Sequence, residues 1–184
     1  MNNHVNNIPP RVILWGAVGQ AKLINNVIEH FDSRITAVFE DNPDYGSPFP
    51  SVPIYHGWDQ FMEWIKDQDK ETLGFALGIG GRGRLRIELH NKLSAMGLQP
   101  ITIAHPSVVI AKDAVIGEGS QIMAGAIIGP GAKIGRQCII NANASIDHDN
   151  ILDDGVEISP GAILCGVVRV GTSAWIAVSS GPSS

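Results

Sequence analysis

The chain has 184 residues, with 13 Lys and Arg against 18 Asp and Glu and a formal net charge of −5. This length allows one ordinary domain or two small ones. The mildly acidic balance excludes a basic surface for nucleic acid or anionic membranes, so a small molecule is the better expected partner. The sequence contains no run of eighteen apolar residues and only two cysteines, Cys138 and Cys165, too few for a disulfide framework. We expect a cytoplasmic protein with buried thiols.

The first part of the chain alternates short apolar runs with helical stretches. We expect residues 1–10, which are polar and rich in asparagine, to form a disordered arm. Residues 11–104 then have the pattern of a parallel sheet covered by helices, which predicts a Rossmann-like α/β domain. The expected elements are strands over 11–15, 35–39 and 73–77, helices over 21–30, 58–66 and 84–96, and an irregular loop over 43–53.

Three loops follow the three expected strands, and parallel sheets bind ligands at the carboxyl ends of their strands. Gly16 and Gly19 follow the first strand, where glycines let a phosphate approach the backbone and the next helix favours an anion at its N-terminus. Glu40 and Asp41 follow the second, where a carboxylate can meet a ribose hydroxyl or a base edge. Gly80 lies after the third. A plain tight turn stays the alternative for the glycines after the first strand, because the full G-x-G-x-x-G pattern is absent.

From Ser107 onward the chain consists of twelve consecutive six-residue repeats without an insertion. A period of six drifts around an α-helix, and the many Gly, Asn and β-branched residues oppose helix formation. The pattern predicts short parallel strands stacked into a solenoid, in which each coil buries its apolar positions against the next. The second place of each repeat is mostly small, and the fourth is always aliphatic: Ile110, Ile116, Ile122, Ile128, Ile134, Ile140, Ile146, Leu152, Ile158, Leu164, Val170 and Ile176.

Both halves, in this order, resemble the sialic acid O-acetyltransferase and UDP-4-amino-sugar N-acetyltransferase family of bacterial surface glycan pathways. The resemblance implies that residues 105–184 form an all-β left-handed parallel β-helix, with three repeats in each triangular coil and about four coils. In the sequence it rests on Gly16-Ala17-Val18-Gly19-Gln20-Ala21, on Glu40-Asp41, on Ile79-Gly80 and on Asn141-Ala142-Asn143-Ala144-Ser145-Ile146-Asp147-His148-Asp149.

The same resemblance implies the ligands and the assembly. The domain over 11–104 would bind a nucleotide-linked sugar, a UDP-sugar being favoured, and the chain would form a homotrimer with acetyl-coenzyme A, the co-substrate, between neighbouring subunits. Because Val18 and Gln20 replace the family's Ser and His, phosphate contact is left to backbone groups. The implied substrate contacts are Gly16, Val18, Gly19, Gln20, Glu40, Asp41 and Gly80, and the implied coenzyme contacts are Glu157, Gly166 and Val178.

His148 is the expected general base. It is the only histidine in the twelve repeats, and an amine or hydroxyl that attacks a thioester must lose a proton, which imidazole accepts near neutral pH. Asp149 matches the position that the family uses to orient this histidine. The repeat pattern itself does not decide between Asp149 and Asp147. We expect a backbone N–H to stabilise the oxyanion, and Gly166 is either part of that coenzyme site or a turn residue of the coil.

Two features depart from the family and keep alternatives open. Glu157 stands where the family often has a histidine that contacts the coenzyme, and the repeats end early, which would leave part of the coenzyme site absent. A non-catalytic or regulatory nucleotide-sugar-binding relative is therefore the main alternative. A zinc-dependent β-helix enzyme needs about three converging histidines, whereas the repeats contain one. Nicotinamide-dependent redox chemistry needs the complete glycine pattern, which is broken here. The sequence disfavours both functions. We predict an acetyltransferase without a metal, and the sequence leaves open whether nitrogen or oxygen accepts the acetyl group.

Overall fold

The first part of the chain forms one parallel sheet flanked by helices. The computed structural model describes residues 4–177. The five strands pair in the order β3-β2-β1-β4-β5, all parallel. Its elements are β1 (Arg11–Trp15), α1 (Gly19–Ile28), β2 (Arg34–Glu40), β3 (Ile54–His56), α2 (Gly57–Ile65), a 3-10 turn (Lys70–Thr72), β4 (Leu73–Leu77), α3 (Gly83–Ser94) and β5 (Gln99–Pro100).

The two central strands determine where a ligand can bind. β4 is apolar throughout and β1 is apolar after Arg11, its first residue, as expected of strands covered on both faces. The chain runs from β1 to β2 on one side and later to β4 on the other, so the strand order reverses beside β1. An open crevice at the carboxyl ends follows from such a reversal. The sequence missed β3 and β5, which have only three and two residues.

Residues 103–176 form a coil of two-residue parallel strands. The twelve expected repeats appear as twelve strands. Paired residues differ by 18 in number, as in Val109 with Ile127, so each turn of the coil takes three repeats. The aliphatic fourth places fill the interior of the coil. Three faces result: face 1 contains β7 (Val109–Ile110), β10 (Ile127–Ile128), β13 (Ser145–Ile146) and β16 (Ile163–Leu164); face 2 contains β8 (Val115–Ile116), β11 (Lys133–Ile134), β14 (Ile151–Leu152) and β17 (Arg169–Val170); face 3 contains β6 (Ile103–Ala104), β9 (Gln121–Ile122), β12 (Ile139–Ile140), β15 (Glu157–Ile158) and β18 (Trp175–Ile176).

Face 3 packs against the sheet and α1. Ile103 and Met123 from the coil share one apolar cluster with Ile24 of α1 and Leu14 of β1. The opposite face of the sheet is covered by α2 and α3, and alternate residues of β1 and β4 point to it. The coil therefore takes the place of one covering helix layer, and the sheet and the coil share buried surface.

The N-terminal arm differs from the expected disordered segment. From His4 onward it is ordered along the coil, because it supplies hydrogen bonds to backbone that the coil leaves unpaired. Val5 forms a parallel bridge with Thr102. The Asn6 side chain donates to the Ala104 carbonyl and accepts from the Ala104 N–H, and the expected disorder is wrong for residues 4–10.

Two further findings concern the expected thiols and membrane segments. Cys138 is buried, and burial raises the pKa of its thiol to about 12. Cys165 is exposed, so the expectation of a buried thiol is wrong there, because it occupies the fifth place of its repeat and not one of the inward second and fourth places. Within residues 4–177 we find no helix with the length and apolar character needed to cross a bilayer.

Candidate active site

A cavity of about 280 Å³ lies at the carboxyl ends of β1, β2 and β4, at the reversal in strand order. Five of the seven predicted substrate contacts line it together. The three loops that carry them are far apart in the sequence and converge because parallel strands end at the same edge of the sheet. These five residues are Gly16, Val18, Glu40, Asp41 and Gly80.

Glu40 ties two of these loops together. One carboxylate oxygen accepts a hydrogen bond from the Ala17 N–H at 3.0 Å, and the other accepts from the Asn42 N–H at 3.1 Å. Both oxygens of Glu40 are thus engaged by the protein itself. The exposed carboxylate of Asp41 makes no side-chain hydrogen bond to residues 4–177, so of the acidic pair it is Asp41 that is free for a ligand.

Gly16 is required where the loops after β1 and β4 touch. Its φ is +106°, in the region that favours glycine, and a Cβ here would lie 2.5 Å from the Gly78 carbonyl oxygen. Any larger residue would push the two loops apart. By contrast Gly19, the first residue of α1, does not line the cavity, and a Cβ there would meet no atom within 4 Å.

Gln20 does not contact the cavity, although the sequence predicts a substrate contact there. It lies on the side of α1 that is buried against face 3. Its Nε2 donates to Gln121 Oε1 at 2.7 Å, and Gln121 Nε2 donates to the Leu77 carbonyl at 2.8 Å. This chain of hydrogen bonds joins α1, the coil and the end of β4, so Gln20 has a structural contact and is not at the cavity.

Seven residues of the cavity wall are absent from the predicted contacts, and three of them carry an aromatic ring or a charge. Trp15, Tyr45 and Arg82 line it beside the predicted residues, and Arg82 is the only Lys, Arg or His in the described wall. Arg82 directly follows the loop after β4, which is the signal that could have found it. Tyr45 lies in the expected irregular loop over 43–53, which carries no ligand-binding motif.

His148 and Asp149 form a second polar group at the corner between faces 1 and 2. His148 Nδ1 lies 2.9 Å from Asp149 Oδ2, and the backbone N–H of His148 donates to Asp147 Oδ1 at 2.8 Å. The two candidates for orienting the histidine therefore do different things: Asp149 holds the ring and Asp147 holds the backbone. Because a carboxylate accepts, we assign the proton to Nδ1, which leaves the lone pair of Nε2 free.

The hydrogen bond that His148 donates to Asp149 is the main cause that raises the pKa of His148 above its ordinary value, and the negative charge of Asp147 adds to it. The side chain of His148 is 52% exposed and that of Asp149 is 65% exposed. Asp149 itself sits at a corner with φ +57°, over Gly131, where a Cβ would come 2.5 Å from Asp149 Oδ1. The missing side chain of Gly131 thus makes room for the carboxylate.

Gly166 lies next to the imidazole. A Cβ on Gly166 would lie 2.6 Å from His148 Cε1, 2.8 Å from Cδ2 and nearer still to Nε2. The free Nε2 therefore faces the Cα of Gly166 across a space that only glycine leaves open. The structure brings together three of the predicted residues here, His148, Asp149 and Gly166.

The other predicted coenzyme contacts are not part of this corner. Glu157 is buried on β15 of face 3 and accepts a hydrogen bond from the Gly81 N–H at 2.6 Å. It thus contacts the wall of the cavity, which differs from the open coenzyme contact expected for it. Val178 lies outside the described residues. Between residues 4 and 177, no three His, Cys, Asp or Glu side chains group closely enough to hold a metal ion.

Comparisons with known proteins agree with this architecture. The family described as bacterial transferase hexapeptide (six repeats) matches residues 113–148. The UDP-N-acetylbacillosamine N-acetyltransferase of Bacillus subtilis (strain 168) is 35% identical over 114 residues, which are 61% of this chain and 51% of that protein. The chain thus spans about half the length of this curated relative.

Two solved structures share the fold over most of the chain. The acetyltransferase domain of PglB from Neisseria gonorrhoeae FA1090, in complex with acetyl coenzyme A, has a TM-score of 0.72 at 24% identity, covering 91% of this chain and 82% of that one. A mutant of GDP-perosamine N-acetyl transferase from Caulobacter crescentus, in complex with CoA and GDP-perosamine, has a TM-score of 0.56 at 21% identity, covering 90% of this chain and 88% of that one. At these identities the likeness establishes the fold.

Proposed function

We propose that this chain transfers the acetyl group of acetyl-coenzyme A to an amino group of a nucleotide-activated sugar. The proposal starts from the similarity of the chain to hexapeptide-repeat sugar N-acetyltransferases. A hydroxyl acceptor is the variant that the sequence left open. The observation that carries the proposal is the corner of His148, Asp149 and Gly166, where an oriented imidazole presents a free Nε2. The relatives supply the chemistry, because UDP-N-acetylbacillosamine and GDP-perosamine N-acetyltransferases act on nucleotide sugars.

The division of labour follows the fold. In this proposal the Rossmann-like domain over 11–104 binds the nucleotide sugar in the cavity, and the left-handed β-helix that begins at residue 105 performs the transfer. The strand-order reversal beside β1 supports the first assignment and the register of 18 residues supports the second. The handedness rests on the resemblance, and the cytoplasmic location stays an expectation from the sequence.

In this reaction His148 acts as the base. Asp149 fixes the ring through Nδ1, and Nε2 accepts the proton of the sugar amine as its nitrogen attacks the thioester carbonyl. The carbon–nitrogen bond forms, the carbon–sulfur bond breaks, and the imidazolium returns the proton to the departing thiolate. The carboxylate of Asp149 stabilises the imidazolium in between, which agrees with the direction of the pKa of His148.

Trimer formation completes the site. Within one chain the cavity adjoins face 3, whereas His148 lies at the corner between faces 1 and 2, which is opposite face 3 in a triangular coil. A neighbouring subunit can supply the missing half. Face 1 supports such an assembly, since its outward residues Val109, Ile127 and Ile163 stay 61%, 46% and 72% exposed in the single chain.

A thermal-shift panel tests the proposed function. We expect one of the UDP-, GDP- and CMP-linked amino sugars, UDP being favoured, to raise the melting temperature, and acetyl-coenzyme A to do so independently, because a ligand that binds the folded state stabilises it. Mixing the two should yield a sugar heavier by one acetyl group in mass spectrometry. Binding of the sugar without any product would favour the non-catalytic alternative, and no binding of any nucleotide sugar would contradict the proposal.

Arg82 provides a test of the cavity. Replacing it by alanine removes the only cation of the described wall, and a charge-assisted hydrogen bond to a phosphate is worth about 1.5–3 kcal/mol. We expect the Kd of the nucleotide sugar to rise by about tenfold or more, measured by calorimetry, while the Kd of acetyl-coenzyme A stays unchanged. Arg84→Ala is the matched control, since Arg84 is exposed on α3 and does not line the cavity. Equal losses in both variants would show a general charge effect.

A further inference from the structure

Arg86, on α3, is a fully buried cation between the sheet and the coil. Its Nε donates to the Gln137 carbonyl at 3.0 Å and its Nη2 to the Gly155 carbonyl at 2.8 Å, both in the coil. Its Nη1 donates to the Ile79 carbonyl at 2.8 Å, in the loop after β4. The guanidinium therefore connects that loop to the corner between faces 2 and 3 through one planar group, a geometry that Lys cannot reproduce.

Glu157 completes this connection from the coil side. Its side chain is 10% exposed, and its Oε2 lies 3.4 Å from Arg86 Nη1 and 2.6 Å from the Gly81 nitrogen, which donates to it. Its Oε1 would lie 3.7 Å from a Cβ on Gly80. Both residues thus hold the loop after β4 by hydrogen bonds to its backbone. The carboxylate of Glu157 accepts from the Gly81 N–H, and Arg86 donates to the Ile79 carbonyl.

This loop forms one wall of the cavity. Gly78, Ile79, Gly80 and Arg82 all line it, and Arg82 follows directly on the residue whose N–H Glu157 accepts. A shift of the Gly81 backbone would move the Arg82 side chain relative to Asp41 and Glu40 across the cavity. The position of the cation therefore depends on two buried residues that do not line the cavity.

We propose that Glu157 and Arg86 are positioning residues that set the loop after β4, and with it Arg82, for binding of the nucleotide sugar. The inference rests on the proposed function of the cavity. It gives Glu157 a task different from coenzyme contact: the carboxylate serves the sugar-binding half of the site from within the coil, and Arg86 balances its charge. Affinity for the nucleotide sugar then depends on face 3.

Two conservative variants separate reach from charge. Glu157→Asp keeps the charge beside Arg86 but shortens the side chain by one methylene, so its oxygen no longer reaches the Gly81 N–H. Glu157→Gln keeps the length and an oxygen acceptor but loses the charge. We expect Glu157→Asp to speed hydrogen exchange of the Gly81 amide by about tenfold, because that amide loses its acceptor. Glu157→Gln should retain most of the protection, and Ser159→Ala, a buried change in the same coil, should retain all of it.

Ligand binding by the same variants tests whether the loop after β4 sets the affinity for the nucleotide sugar. In Glu157→Asp we expect the Kd of the nucleotide sugar to rise by about fivefold or more, with the Kd of acetyl-coenzyme A within about twofold, since only the cavity loop has moved. A change confined to acetyl-coenzyme A would overturn the inference in favour of a coenzyme contact. So would unchanged Gly81 exchange, which is measured without ligand. If wild type binds no nucleotide sugar, the proposed function fails, and the exchange data still decide whether Glu157 holds the loop.

Discussion

The His148→Asn protein is expected to lose about a hundredfold or more in kcat, the usual scale for removing a general base. Asparagine keeps similar bulk and some hydrogen bonding but does not accept a proton near neutral pH. The imidazole is about half exposed and does not contribute to the interior of the coil. The KM for the nucleotide sugar should therefore stay within about threefold, and the loss should appear in kcat alone. Steady-state kinetics with release of the coenzyme thiol as the readout gives both constants.

The control for this variant is His105→Asn. His105 is a half-buried histidine beside the coil, bonded to Ser107 and distant in sequence from the corner, and we expect its replacement to leave kcat unchanged. In wild type the base is the neutral imidazole, so the rate should rise with pH through a pKa above the ordinary histidine value, because Asp149 raises it. Wild-type turnover in His148→Asn would show that His148 is only a corner of the coil.

The coil was predictable because its signal is repeated. An inward position recurs every six residues, and each error in the assumed period would place polar residues in the interior. The structure puts every fourth place, from Ile110 to Ile176, at the second residue of a strand. The same phase explains Asp149: it occupies the first place of its repeat, the left-handed corner that Gly131 fills one coil earlier. This local geometry decides that Asp149, and not Asp147, meets the ring.

The contacts between sheet and coil could not be predicted in this way. Gln20 and Glu157 each have a polar side chain that is buried only because face 3 lies against α1 and the loop after β4. The packing of the sheet against the coil leaves no periodic signal in the sequence. From the sequence, each of these residues therefore resembles an exposed polar group on a ligand-binding loop or on the surface of the coil. Arg82 was missed for a different reason. An exposed arginine is common on any protein surface, and the only signal for this one is its position directly after the loop that follows β4.

Gly166→Ala tests whether the corner needs its open space. The new methyl group would come 2.6 Å from His148 Cε1 and nearer to Nε2, which no real contact tolerates, so the imidazole must turn away and lose its hydrogen bond to Asp149. The backbone of Gly166 is not in the left-handed region, and the ring is the free end of a side chain. We therefore expect folding stability to change by less than about 1 kcal/mol, while kcat falls on the order of a hundredfold because the base is misplaced.

Gly171→Ala is the matched control, because a Cβ on Gly171 would meet no atom within 4 Å and its φ is likewise outside the left-handed region. Both variants add one methyl group to a glycine near the end of a repeat, so they differ only in what the methyl group meets. Melting temperatures by calorimetry should be alike for the two, and only Gly166→Ala should lose turnover. The pH at half-maximal rate should also fall in Gly166→Ala, since an imidazole parted from Asp149 loses the main contact that raises its pKa. Full activity in Gly166→Ala would mean that Nε2 does not work from the position in which it faces Gly166, and the proposed direction of proton transfer would be wrong.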